Sequence, residues 1–327
     1  MLTALKSRLL EAGHDSRVLF EAFRLQAAAH GIWVVRRGGM ISMTRGHRRI
    51  LFDVKDAIAV PMLVHQWAAF FAMLEGETRQ GYQVLDFSKP SLQRYRSGLC
   101  FEMASIAEEE SMDPYTHAYH PRPGDVVWDV GAYCGLTAYF FAQMVGQEGI
   151  VYAFEPDEEN YEFLIRNLKR HGLGNVIPVK AALADSTGTA SFSMEGSMGS
   201  GLSEFLPAND PARNKLVETI GFQDACERFG GAPDYIKMDI EGGELSVVAG
   251  ALNFLRDHPV HLAIESNHWV NGRFTAEPLE GMLRRASYRA WSSREFGLLF
   301  TWAEPASSTS DRSSEGPATD GVRCKNA

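Results

Sequence analysis

The stretch VVWDVGAYCGLTAYFFAQM, from Val126 to Met144, decides how the rest of the chain is read. A short apolar run ends in an acid, a Gly-containing turn follows, and the spacing then becomes helical. A strand, turn and helix in that order present backbone groups to a ligand at the helix N-terminus. A P-loop would need G-x-x-x-x-G-K-[ST], but only three residues separate Gly131 from Gly135, and Leu136 stands where the lysine would reach a phosphate. A dinucleotide turn would place glycine where Tyr133 stands, because backbone must approach a pyrophosphate there. What remains is D-x-G-x-x-x-G after a strand, which suits S-adenosylmethionine, a cofactor with no phosphates to cradle. Gly131 and Ala132 would approach its methionyl part, and Asp129 would face its ammonium end.

The ribose diol of such a cofactor needs a carboxylate at the end of the next strand, able to accept from two hydroxyls at once. In VYAFEPD, Glu155 holds that position, 20 residues after Gly135. The competing reading makes Glu155 an acid that stabilises the following helix, which Asp157 caps and Glu158 and Glu159 open. Lys169, Arg170 and Gly172 close that helix, and Tyr161, Leu164 and Leu168 form its buried stripe. Pro156 and Ala182 complete the expected cofactor contacts with Asp129, Gly131, Ala132, Tyr133, Gly135 and Glu155.

Outward from this motif, the strands are expected at Val126–Val130, Ile150–Phe154, Val176–Val179, Tyr235–Ile240 and Val260–Glu265. They are apolar on both faces and alternate with helices, the pattern of a parallel sheet covered on both sides in an α/β domain. This domain is expected over 113–304. Residues 1–112 read as an added layer: helices around Leu5, Leu9, Leu10 and Val18, Phe20, Phe23, Leu25, then paired strands around Gly38-Gly39. A buried helix is expected to start at Pro61. Arg36, Arg37, Arg45, Arg48 and Arg49 on the ribbon are either a solvated edge that discourages strand addition or a patch for an anionic acceptor. The tail, 305–327, is rich in Ser, Pro and Gly and is expected to be disordered.

Composition sets the outer limits. Of the 327 residues, 45% are hydrophobic and 22% charged, as in a soluble globular protein. The net charge of −9 argues against general nucleic-acid binding, which calls for a basic face. Cys100, Cys134, Cys226 and Cys324 form no C-x-x-C pair, which points to neither a disulfide framework nor a zinc knuckle and fits a reducing compartment. The window Ala57–Leu74 is interrupted by Pro61, His65 and Gln66, so no transmembrane segment is expected and the protein is expected to be cytoplasmic.

Four segments, VVWDVGAYCGLTA, VYAFEPDEENYEFLIRNL, DYIKMDIEGGELSVVAGA and HLAIESN, resemble the FkbM-type methyltransferases, within the class I Rossmann-like methyltransferases. The resemblance runs from about Tyr115 to Ser287, and K-x-D-x-E-G-x-E is its most specific piece; Gly243 stands where the family often has alanine. It implies a seven-stranded sheet ordered 3-2-1-4-5-7-6 with strand seven antiparallel. It also implies methyl transfer from S-adenosylmethionine, usually to a hydroxyl of a sugar or natural product, so the expected partner is a small-molecule or glycan acceptor. A non-catalytic cofactor-binding protein with this fold, or a nicotinamide-dependent oxidoreductase, are the alternatives.

In-line methyl transfer leaves the protein to align the acceptor oxygen and manage its proton. Asp239, at the end of the fourth strand, is the first candidate for that proton. Glu265, at the end of the fifth, and His268 just beyond it are the others. Together the three could hold Mg²⁺ or Mn²⁺, although their spacing is not diagnostic. Lys237 is expected to pair internally with an acid, while Glu241 and Glu244 stabilise the start of the next helix or join the site. The Gly/Ser-rich stretch Ser193–Phe205 stands at lid position, and Tyr115 or Tyr119 could close over the cofactor.

Overall fold

The computed structural model describes residues 16–193, 201–202 and 214–306; Leu5, Leu9 and Leu10 lie outside them. Helix α1 (Ser16–Ala29) buries Phe20, Phe23 and Ala27, whereas Leu25, expected in its apolar stripe, is 68% exposed. The ribbon holds three strands rather than two, β1 (Trp33–Arg37), β2 (Met40–Arg45) and β3 (Arg48–Asp53). With β4 (Glu77–Arg79) and β5 (Tyr82–Phe87) they form a sheet ordered β1-β2-β3-β5-β4. Arg48 lies over the Phe71 ring and Arg49 over the Tyr82 ring, so both stems pack on aromatic faces.

The helix expected from Pro61 is two helices, α2 (Val60–His65) and α3 (Trp67–Met73), broken at Gln66 (φ −93°, ψ 11°). A continuous helix would spread this apolar run around its whole circumference. The break lets Leu63 and Val64 share one core with Trp67, Phe70 and Phe71. The hairpin of β6 (Ser91–Arg94) and β7 (Cys100–Met103) follows, then the short α4 (Asp113–Thr116).

From Val126 strands and helices alternate: β8 (Val126–Val130), α5 (Leu136–Val145), β9 (Ile150–Phe154), α6 (Glu158–His171) and β10 (Val176–Val179). A side sheet follows, built from β11 (Ala182–Ala184), β12 (Gly188–Ser193), β13 (Gly201–Leu202) and β14 (Asn214–Gly221). The chain then returns through α7 (Phe222–Phe229), β15 (Tyr235–Met238), α8 (Glu244–Asp257) and β16 (His261–Glu265). The small hairpin β17 (Trp269–Val270) and β18 (Arg273–Phe274), then α9 (Ala276–Arg285), β19 (Tyr288–Ser293) and β20 (Phe300–Pro305), complete it.

The central sheet runs β10-β9-β8-β15-β16-β20-β19. Numbered along the chain this is the order 3-2-1-4-5-7-6. Strands β10 to β16 are parallel, and β20 is antiparallel to both β16 and β19. This is the class I methyltransferase fold. The order reverses between β8 and β15, and in an open α/β sheet that switch point opens a crevice at the carboxyl ends of the strands. Asp157 caps α6 by accepting from the N–H groups of Glu159 and Asn160, and Gly172 closes the helix in a left-handed conformation.

Three boundaries differ from expectation. Strand β15 stops at Met238, two residues early, because Ile240 and Gly242 donate their N–H groups to Glu244 in a tight turn. Strand β16 begins one residue late, at His261. Pro305 is no tail residue: it pairs with Tyr288 at the end of β20. The remainder of the tail, 307–327, and most of the lid stretch lie outside the described residues.

The N-terminal layer and the methyltransferase fold share a core, in which Tyr133, Cys134, Leu136 and Phe163 pack with Phe101, Met103 and Ile106. Asn167, fully buried on α6, sews the two together. Its amide donates to the carbonyls of Glu102 and Cys134, each at 2.8 Å, and its oxygen accepts the Glu102 N–H at 2.8 Å. Replacing it by alanine strands buried backbone groups, so Asn167→Ala should lower stability by about 1–3 kcal/mol. Denaturant unfolding measures this, and an unchanged midpoint would show that the seam contributes nothing.

Candidate active site

The turn after β8 is tightly constrained. Gly131 has φ +81°, and a Cβ there would fall 1.9 Å from the Asp239 carbonyl oxygen, so only glycine fits. This contact brings the first turn and the fourth-strand rim together. The N–H groups of Gly131 and Ala132, expected to face the methionyl part, donate to the Phe154 carbonyl at 3.1 and 2.9 Å. Tyr133 adopts a positive φ of 47°. Its hydroxyl accepts the Ser105 N–H at 2.9 Å, which anchors the ring in the N-terminal layer.

The Tyr133 N–H donates to Glu155 Oε2, and the Asp157 N–H donates to Glu155 Oε1, both at 2.9 Å. Glu155 thus sits at the end of β9, at the head of α6 and on the wall of the cleft. That cleft is also lined by Gly131, Pro156, Ala182 and Asp239, with Phe154 and Ile240 as apolar surface. Burial, and next the charge of Asp157, push the Glu155 carboxyl up to about 8.

Below the turn, Lys237 on β15 lies 3.1 Å from Asp129 Oδ1 on β8, with side-chain exposures of 2% and 0%. Its ammonium also donates to the Gly131 carbonyl at 2.5 Å. The other Asp129 oxygen accepts the Thr137 hydroxyl at 2.7 Å. Asp129 is therefore engaged on both oxygens beneath the turn and has no face on the cleft. Burial lowers the Lys237 pKa, but Asp129, Asp239 and Glu108 outweigh it and hold the ammonium above its ordinary value.

At the rim, Asp239, Glu265 and His268 bring ligand atoms within 4.8 Å of one another, a group that could hold a metal ion. His268 Nε2 is 3.7 Å from Asp239 and 3.6 Å from Glu241, and Nδ1 is 2.9 Å from Glu244. Burial lowers the His268 pKa, but Glu244, Glu241 and Asp239 lift it well above its usual value. Burial and the neighbouring Asp239 raise the Glu265 carboxyl to about 8, and burial also raises Asp239. Glu244 is wholly buried and holds the 240–243 turn as well as His268.

Of the two tyrosines, Tyr115 borders this rim, with its ring 5.4 Å from Phe300, the strand partner of Glu265. Tyr119 is elsewhere: it stacks on His261, at the opposite end of β16, and donates to Asp125. Sequence reasoning missed Glu108, whose carboxyl burial pushes up to about 8. Within the acidic run EEES it reads as one more solvated charge, and no local pattern marks it.

The matches to known proteins follow this geometry. Residues 129–290 match the Methyltransferase FkbM domain. The chain is similar to the Hexuronic acid methyltransferase AglP of Haloferax volcanii, 30% identical over 133 residues, covering 40% of this chain and 52% of the relative. The chain therefore spans about half the length of that curated relative. Among solved structures, the methyltransferase FkbM from Methylobacillus flagellatus aligns with TM-score 0.40 and 19% identity, over 58% of this chain and 50% of that one. A SAM-dependent methyltransferase from Aquifex aeolicus aligns with TM-score 0.38 and 16% identity, over 59% and 90%. Among the described residues, no helix is long and apolar enough to cross a membrane.

Removing one member of a buried ion pair leaves the other uncompensated. Lys237→Met should therefore destabilise the fold by about 3–5 kcal/mol, and Lys237→Met with Asp129→Leu should lose less than the single change. Chemical denaturation of both variants checks this. A double variant weaker than the single would remove the pair from its central place.

Proposed function

We propose that the protein transfers a methyl group from S-adenosylmethionine to a hydroxyl of a sugar-type acceptor. The observation that carries this reading is the carboxyl-rich wall of the cleft. Glu155 and Asp239 line it, Glu265 and Glu241 stand beside Asp239 around His268, and the carboxyls of Glu155 and Glu265, raised to about 8 chiefly by burial, would gain ionisation from an entering cation. A site built this way favours a cationic cofactor and opposes a pyrophosphate. Against a nicotinamide cofactor, the Gly131, Ala132 and Tyr133 N–H groups are already committed within the protein. The sugar acceptor is supported by the Haloferax volcanii relative, whose name states a hexuronic acid methyltransferase.

When bound, S-adenosylmethionine supplies an electrophilic methyl group that needs no further activation. The chain's own part is placement and proton handling. Glu155 accepts from the ribose hydroxyls, while Phe154 and Ile240 supply apolar surface for the adenine. Asp239, in contact with the turn through its carbonyl and 30% exposed at its side chain, faces the acceptor and takes the proton its oxygen loses. Glu265 and His268 set the charge around Asp239, and Tyr115 shields the rim from water. The same Asp239, Glu265 and His268 would hold Mg²⁺ or Mn²⁺, which would acidify the acceptor hydroxyl.

Methyl transfer from labelled S-adenosylmethionine to hexuronic-acid glycans tests this. Asp239→Asn should lower kcat by about 10²–10⁴-fold while cofactor affinity changes less than about tenfold. EDTA treatment with Mg²⁺ or Mn²⁺ add-back separates direct proton transfer from metal-assisted transfer. Near-normal turnover by Asp239→Asn would sink both.

A second expectation concerns pH. Hydroxyls donating to Glu155 favour its ionised form, so binding pulls its pKa down from about 8 and releases a proton. S-adenosylhomocysteine affinity should therefore rise with pH below about 8, by up to about tenfold per unit, and level off above. Glu155→Gln should flatten that slope. Calorimetry showing the same slope in both proteins would remove Glu155 from the ribose.

A further inference from the structure

We propose that the open face of the N-terminal sheet binds an acidic oligosaccharide through Trp33, Arg37 and Arg49. This face belongs to other strands than the cleft, and its role stands apart from the methyl-transfer reading.

Side chains along β1–β3 alternate between two faces. The inner face carries Val34, Ile41 and Phe52, which share a core with Phe20 and Phe23 of α1. The outer face carries Trp33, Arg37, Met40, Thr44 and Arg49, and there Trp33 is 75% exposed. Trp33 pairs in register with Thr44, and Thr44 with Arg49, so the three form one row across the sheet. With strands about 4.8 Å apart, the row spans about 10 Å between backbones, more than a single sugar ring covers.

Arg49 is held in place before any ligand arrives. Its guanidinium lies 3.9 Å over the Tyr82 ring, and its Nε donates to the Thr44 hydroxyl at 3.4 Å. Among the described residues, neither Arg49 nor Arg37 makes an ion pair, in a chain whose net charge is −9. The far end of the same sheet shows the contrast, where Arg79 takes Glu77 and Asp86 at 2.7 and 2.6 Å. Protection of a sheet edge would account for Arg37 on the edge strand β1. It does not account for Arg49, because β3 lies between β2 and β5.

The chemistry of the row selects the occupant. An anionic membrane attracts lysine and arginine alike, yet no lysine occurs between Trp33 and Asp53. The planar fork of arginine matches a carboxylate with two parallel hydrogen bonds, which a lysine cannot do. The negative face of the Trp33 ring suits the C–H face of a sugar. The Thr44 hydroxyl, which accepts from Arg49, still has a hydrogen to donate to a sugar oxygen.

Calorimetry with oligogalacturonate, a chain of uronic acids, tests this against a malto-oligosaccharide of equal length as the neutral control. Wild type should bind the first and not the second. Trp33→Ala and Arg49→Gln should each weaken oligogalacturonate about tenfold, and melting curves register that the variants fold. Arg49→Lys, which keeps the charge but not the fork, should stay weakened. No binding of oligogalacturonate, equal binding of the neutral chain, unchanged affinity in Trp33→Ala and Arg49→Gln, or full affinity in Arg49→Lys would each overturn the proposal. So would phosphatidylglycerol vesicles that capture wild type but neither of the first two variants while oligogalacturonate stays unbound, which would make an anionic membrane the occupant.

Discussion

The buried ion pair between Lys237 and Asp129 joins β15 to β8 across the point where the strand order reverses. Taking two charges out of water costs several kcal/mol each, and the geometry must return it. Here it does so by doing two further things. The ammonium holds the Gly131 carbonyl, and the carboxylate holds Thr137 in the first turn of α5. The turn is thereby fixed at both ends. Gly131 can then pass so close to the Asp239 carbonyl that the first turn and the fourth-strand rim become one surface.

That arrangement crowds buried carboxyl groups together. Glu108, Glu155 and Glu265 are all pushed to about 8 by burial. Holding such groups near one another opposes folding, and a cation entering the cleft relieves the strain in each. On the methyl-transfer reading, a cationic cofactor in the cleft would favour the ionised form of these groups.

Much of this was legible in the sequence, for local reasons. The strands from Val126 to Glu265 show as apolar runs. Helix α6 announces itself through Asp157, Glu158, Glu159 and Gly172, and Glu155 is marked by its place after β9. The illegible parts all depend on partners distant in the chain. The turn motif cannot show that Lys237, 108 residues on, pairs with Asp129. The anchoring of the Tyr133 hydroxyl at Ser105 joins residues 28 apart. Glu108 sits in an acidic run whose neighbours face water, and the early end of β15 follows from a side chain, Glu244, in the next helix. The break at Gln66 follows from the shape of a core that no periodicity describes.

The central claim is that this turn, tied down by Lys237 and Asp129, is the floor of an S-adenosylmethionine site. A crystal structure of the protein with S-adenosylhomocysteine tests it most directly. The account predicts ribose hydroxyls within hydrogen-bonding distance of Glu155, the sulfur beside Gly131 and Asp239, and the Lys237–Asp129 pair unbroken beneath them. A ligand bound away from the carboxyl ends of β8 and β9, or one that draws Asp129 off Lys237 and into the cleft, would contradict it.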